Sequence, residues 1–146
     1  MKLKSFLMAL VTCSFSFSAC AKEEKLIDFV ELPLQAQKVI NTHFNPNEVT
    51  VVIMDDDFLE TDYKVRFTNG AKVEFDKKGE LTKADCGLER VPDALLPEPV
   101  RQYVAAKFPK DFVTEWSKDD SRWKAELSNH LELVFNRKFE FVGLDD

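Results

Sequence analysis

The chain is short of the residues that staple a small secreted protein. It holds three cysteines, four glycines and two histidines. Cys13 and Cys20 fall inside the first 21 residues, which read as a leader. Cys86 is then left alone, so no intrachain disulfide is available and a hydrophobic core must hold the fold. Four glycines do not make a glycine-rich phosphate loop. Neither His43 nor His130 lies near a cysteine at metal-ligand spacing. No serine, cysteine or threonine sits in a recognisable nucleophile motif. A basic excess is also missing: 20 Lys and Arg face 26 Asp and Glu, for a formal charge of −6. Nucleic acid and anionic membrane surfaces both need a cationic footprint, so both are disfavoured as partners.

What is present begins with the leader. Lys2 and Lys4 make a basic start, and Ser5 to Phe17 is mainly apolar but too short to span a bilayer as a helix. Ala19-Cys20-Ala21 places small residues for cleavage after Ala21. This reads as a signal peptide over 1–21 and a periplasmic or secreted mature chain. The alternative is a lipoprotein anchored at Cys20, because Phe17-Ser18-Ala19-Cys20 is similar to a lipoprotein cleavage box. The mature chain has no transmembrane stretch and is long enough for one domain.

That domain contains itself twice. Leu32-Pro33 recurs as Leu96-Pro97, and Phe44 as Phe108. Tyr63 to Gly70 recurs as Trp123 to His130, and Val73 to Asp76 as Leu133 to Asn136. Each copy opens with an amphipathic helix. Ala36, Val39, Ile40 and Phe44 form one stripe, and Val100, Tyr103, Val104 and Phe108 the other. Alternating strands follow: Val49/Val51/Ile53, Tyr63/Val65/Phe67 and Val73/Phe75, with a short fourth from Leu81. In the second copy they are Phe112/Thr114/Trp116, Trp123/Ala125/Leu127, Leu131/Leu133/Phe135 and one at Phe141. One apolar and one polar face mean antiparallel strands covered on one side. A three-residue loop at Thr68-Asn69-Gly70 pairs Phe67 with Ala71, Val65 with Val73 and Tyr63 with Phe75, with Gly70 left-handed. His130 takes that place in the second copy. Phe139 stands where Gly79 stands; a left-handed Phe is costly, so the last turn is expected to differ in shape.

The fold class is α+β: a tandem repeat of helix plus four antiparallel strands. It forms a joint sheet of about eight strands with two helices on one face. The first repeat is 22–90 and the second 91–146, together one joint domain over 22–146.

The chain resembles the PepSY-like, beta-lactamase-inhibitor-like secreted proteins of Bacteroidetes. The likeness rests on Leu32-Pro33 with Phe44, Asp57-Phe58 with Tyr63-Lys64-Val65, Asn69-Gly70, Val73 to Glu80, and Asp85-Cys86 before Val91-Pro92. In the second copy it rests on Leu96-Pro97, Tyr103-Val104, Lys107-Phe108-Pro109 and Leu127-Ser128-Asn129. It implies the two-copy sheet and a secreted chain. The namesake inhibitor grips its enzyme with the concave face of such a sheet, and inhibition here would be analogy from the fold.

Three functions follow from these residues. The first is a non-catalytic binding module. Its uncovered face carries Lys64, Arg66, Lys72 and Glu74 from copy one and Lys124, Glu126, Glu132 and Val134 from copy two, taking an unknown protein or peptide. The second is a calcium-responsive domain. Asp55, Asp57 and Glu60 are its candidate ligands, in an acidic first hairpin with Asp56 and Asp62, although the spacing is not that of an EF-hand. The third is a hydrolase with an unrecognised site. No catalytic residue and no cofactor other than Ca²⁺ is suggested. Cys86 reads as a small apolar filler whose neighbour Asp85 raises its pKa. Trp116 and Trp123 read as core.

Overall fold

The computed structural model describes residues 23–145; the leader at 1–21 lies outside them. The fold is α+β, with two α-helices and one nine-stranded antiparallel sheet. After β1 (Glu23–Leu26) come α1 (Leu34–His43), β2 (Val49–Asp56), β3 (Thr61–Phe67), β4 (Lys72–Asp76) and β5 (Leu81–Asp85). Next are α2 (Glu98–Lys107), β6 (Val113–Asp119), β7 (Arg122–Leu127), β8 (Glu132–Phe135) and β9 (Phe141–Asp145). Strand order in the sheet is the order in the chain. Each strand therefore pairs with its sequence neighbour, and β5–β6 is joined across a connection containing α2.

Both helices pack on one face. A single row of side chains crosses that face through successive partners: Val52, Val65, Val73, Ala84, Trp116, Ala125 and Leu133. Ala36 and Ile40 of α1 lie over its first half, and Val100 and Val104 of α2 over its second. The helical stripes are thus the ones the 3.6-residue period marks. Leu81 packs against both core clusters and links them. Trp116 is buried and stacks on Trp123 at 4.8 Å and 7°.

The sheet departs from the sequence reading in three places. First, β1 was not anticipated. Glu-Glu-Lys-Leu has no alternation and all four residues are exposed; it is a strand because the edge of β2 offers it hydrogen-bonding partners. Second, Val51 and Ile53 do not share a face with Val49. A bulge between Val49 and Val51 shifts the phase, so Val52 and Met54 join the helix side while Val51 and Ile53 turn to the other. Thr50 at the bulge donates to the Arg66 carbonyl (3.1 Å). Thr114, at the matching bulge of β6, donates to the Glu126 carbonyl (3.3 Å), and Val113, not the expected Phe112 and Thr114, joins Trp116 in the core.

Third, the last turn keeps the shape of its counterpart. Phe139 has φ 61° where Gly79 has φ 82°. Asp76 Oδ1 accepts from Lys78 N and Glu80 N, and Asn136 Oδ1 accepts from Lys138 N and Glu140 N. The strained Phe is held by packing on Trp123 (6.1 Å) and Trp116 (6.3 Å). The loop after β3 forms as expected. Phe67 N donates to Ala71 O, Val65 pairs with Val73, Tyr63 pairs with Phe75, and Gly70 has φ 88°. His130 repeats it at φ 67°.

Candidate functional site: the open face of the sheet

The pleat sends every other residue away from the helices. Pairing then lines these residues up in rows across the strands. One row runs Lys64, Glu74, Lys83, Ser117, Lys124 and Val134. The next runs Arg66, Lys72, Asp85, Glu115, Glu126, Glu132 and Asp145. Every binding-face residue expected from the sequence stands in one of these two rows.

The second row is segregated: two cations, then five carboxylates. Directly opposed like charges destabilise a sheet unless counter-charges reach them. The first row supplies these. Lys83 Nζ lies 2.8 Å from Glu115. Lys124 reaches Asp119 (3.2 Å), Glu132 (2.9 Å) and Asp145. From the loop after β7, outside that row, His130 Nδ1 is within hydrogen-bond distance of Glu126 Oε1 (3.1 Å). Hydrogen bonds to Asp145, Glu132 and Asp119 hold the Lys124 ammonium well above the usual lysine range. At Lys83 burial works to lower the pKa, but the Glu115 bond and nearby carboxylates outweigh it and the net shift is upward. Lys64 is also raised, chiefly by its bond to Asp55. Asp55 is buried, with Oδ2 2.8 Å from Lys64 Nζ, and Glu24 Oε1 stands 3.7 Å from the same Nζ. Val134 belongs to this face yet is buried.

Two depressions lie on the face. One, about 590 Å³, is overhung by the β2–β3 and β6–β7 turns and reaches Leu59, Glu60, Lys77, Lys83, Ser117 and Asp120. The other, about 290 Å³, runs along Lys83, Glu115, Ser117, Lys124, Glu126 and Glu132. The turn residues Phe58 and Leu59 project beside the larger one. Lys83, Asp85, Glu115, Ser117 and Asp145 were missed in the sequence, although Lys83 alternates with Ala84.

The acidic hairpin is not gathered round one point. Asp55 faces the open side of the sheet. Asp57 sits in the turn, where its Oδ1 accepts from Leu59 N (2.8 Å) and Glu60 N (3.1 Å). Among the described residues no three His, Cys, Asp or Glu side chains are placed to hold a metal ion. Cys86 is half-buried against the second core cluster. Burial first, then Asp85 and Glu89, push its thiol up to about 11. No described helix is long and apolar enough to cross a membrane.

A helix-backed antiparallel sheet with one face left open is the architecture that the comparisons match. The family model described as beta-lactamase-inhibitor-like and PepSY-like covers residues 61–143. The chain belongs to this PepSY-like family. A solved structure from Bacteroides vulgatus, described as a "putative periplasmic protein" of the DUF2874 family, is 36% identical. It covers 86% of this chain and 99% of its own, with a TM-score of 0.81. A second, from Bacteroides thetaiotaomicron, is described as a "putative calcium-regulated periplasmic protein". It is 38% identical over 84% of this chain and 97% of its own, with a TM-score of 0.79. A third, again from Bacteroides vulgatus and described as of unknown function, is 26% identical. It covers 85% of this chain and 100% of its own, with a TM-score of 0.78. No curated protein matches the chain.

Proposed function

We propose that this PepSY-like chain is a non-catalytic periplasmic binding module, formed by two copies of one helix-plus-four-strand unit. It takes a protein or peptide on the open sheet face, through Lys64, Arg66, Lys72, Glu74, Lys124, Glu126 and Glu132. The observation that carries this reading is the segregated charge row, held in place by Lys83 and Lys124. Charges fixed before binding cost little ordering and govern partner choice and association rate. The leader and the neighbours' descriptions support the periplasm. The test is capture from envelope extract, identification of the partner, and titration of it against Arg66→Glu/Lys72→Glu. Weakened association in the variant is expected; equal binding would remove this face from the reading.

Calcium regulation is the second reading, favoured by the description of the Bacteroides thetaiotaomicron neighbour. It would use Asp55, Asp57 and Glu60. A ligand of the folded state raises the melting temperature by mass action. An unchanged melting temperature in millimolar Ca²⁺ rules it out.

A further inference from the structure

Among the described residues, the β2–β3 turn carries the two most exposed large apolar side chains beside one another: Phe58 is 96% exposed and Leu59 84%. The turn is not loose. Asp57 N donates to Glu60 O (2.9 Å), Asp57 Oδ1 ties down two more backbone amides, and Thr61 Oγ1 donates to Asp56 Oδ1 (2.7 Å). It is therefore a fixed apolar knob with Asp56, Asp57 and Glu60 around it. Large apolar groups presented together in this way mark contact surfaces rather than ordinary solvent-facing positions.

The same end of the sheet carries the opposite chemistry in its other half. Between the β6–β7 and β8–β9 turns lies a depression of about 400 Å³ lined by Arg122, Arg137 and Lys138. The one carboxylate there, Glu140, is engaged by Asn136 Nδ2 at 2.8 Å. Arginine planes accept an aromatic ring face-on. Knob and depression are thus complementary in charge. They do not meet within one chain: Phe58 is 96% exposed, and the β2–β3 turn lies four strand spacings from the β6–β7 turn and six from the β8–β9 turn, roughly 20 and 30 Å along a continuous sheet. A second copy removes that barrier.

We propose that Phe58 and Leu59 of one copy dock in the Arg122–Arg137–Lys138 depression of a second copy. The contact uses Leu59, which also lines the larger depression of the open face, but leaves the two charge rows free. It is small, so the association is reversible, concentration-dependent and weakened by salt.

Sedimentation of the purified protein over a concentration series tests this, with far-UV circular dichroism confirming that each variant is folded. Wild type is expected to shift toward dimer or larger species as concentration rises, and to return to monomer in 1 M salt, where screening is nearly complete. Phe58→Ser/Leu59→Ser is expected to stay monomeric. Glu60→Lys alone and Arg137→Glu/Lys138→Glu alone should each self-associate more weakly than wild type. An equal mixture of those two charge variants should associate again, because a lysine knob then meets an acidic depression. A monomeric wild type at the highest concentration overturns the proposal and leaves the knob for a partner of another kind. So does a mixture no more associated than its components.

Discussion

Gly79 and Phe139 hold the same place in two equivalent turns, and different neighbours make each residue right. A Cβ on Gly79 would stand 2.8 Å from Ala36 N and 2.9 Å from Pro33 Cβ, because the start of α1 lies against the turn. Gly70 has a similar φ but nothing within 4 Å of its Cβ position. Gly70→Ala should therefore cost only left-handed strain, about 1–2 kcal/mol. Gly79→Ala adds a backbone clash and should cost about 3 kcal/mol or more. Urea melts of the two variants decide it; equal losses would mean that α1 does not press on the turn. Cys86 gives a second test at this scale. With its thiol pushed up to about 11, little thiolate exists at pH 8, and iodoacetamide should label it far more slowly than a free cysteine. The folded pKa lies above the unfolded one, so Cys86 also makes stability fall as pH rises from about 9 toward 11. Fast labelling of native protein at pH 8 would contradict the burial.

At the scale of the element, β3 shows what one strand does on two faces. Val65 is fully buried and its neighbours Lys64 and Arg66 point the other way. Val65→Asp should unfold the protein, since it places an unpaired charge in the core. The two cations are not equivalent. Arg66 is exposed, and Arg66→Ala should change stability by no more than about 0.5 kcal/mol. Lys64 is bonded to buried Asp55, so Lys64→Ala should cost about 1–3 kcal/mol, less than a fully buried pair because the lysine is a quarter exposed. Its pKa is raised in the fold. That stabilisation is fully present below the unfolded lysine value of about 10.4 and is lost as pH rises through the higher folded value. Thermal melts at pH 7 rank the three variants; Lys64→Ala melting with Arg66→Ala would show that the Asp55 bond contributes nothing.

At the scale of the molecule, the two core clusters are joined by Leu81 and by the β5–β6 ladder. This predicts one cooperative unfolding transition. The chain offers a clean probe, because both tryptophans, Trp116 and Trp123, lie in the second half. Tryptophan fluorescence and far-UV circular dichroism should give the same denaturation midpoint. A fluorescence midpoint at lower denaturant would show that the second half melts alone.

Periodicity alone determined much of this protein. The two helix stripes, the pairing of β3 with β4 and the polar face are local consequences of 3.6- and 2-residue spacing, and Lys64, Arg66, Lys72, Glu74, Lys124, Glu126 and Glu132 were legible for that reason. The tertiary structure decided what local spacing cannot carry. β1 exists because β2 had an edge to offer. The bulge at Thr50 reversed Val51 and Ile53, since one extra residue flips everything beyond it. Phe139 keeps its left-handed turn because two tryptophans from other strands hold its ring. The segregated charge row exists only because β5 meets β6 across a whole helix. Cross-strand neighbours are set by pairing, and pairing between distant segments is not written in the spacing of either one.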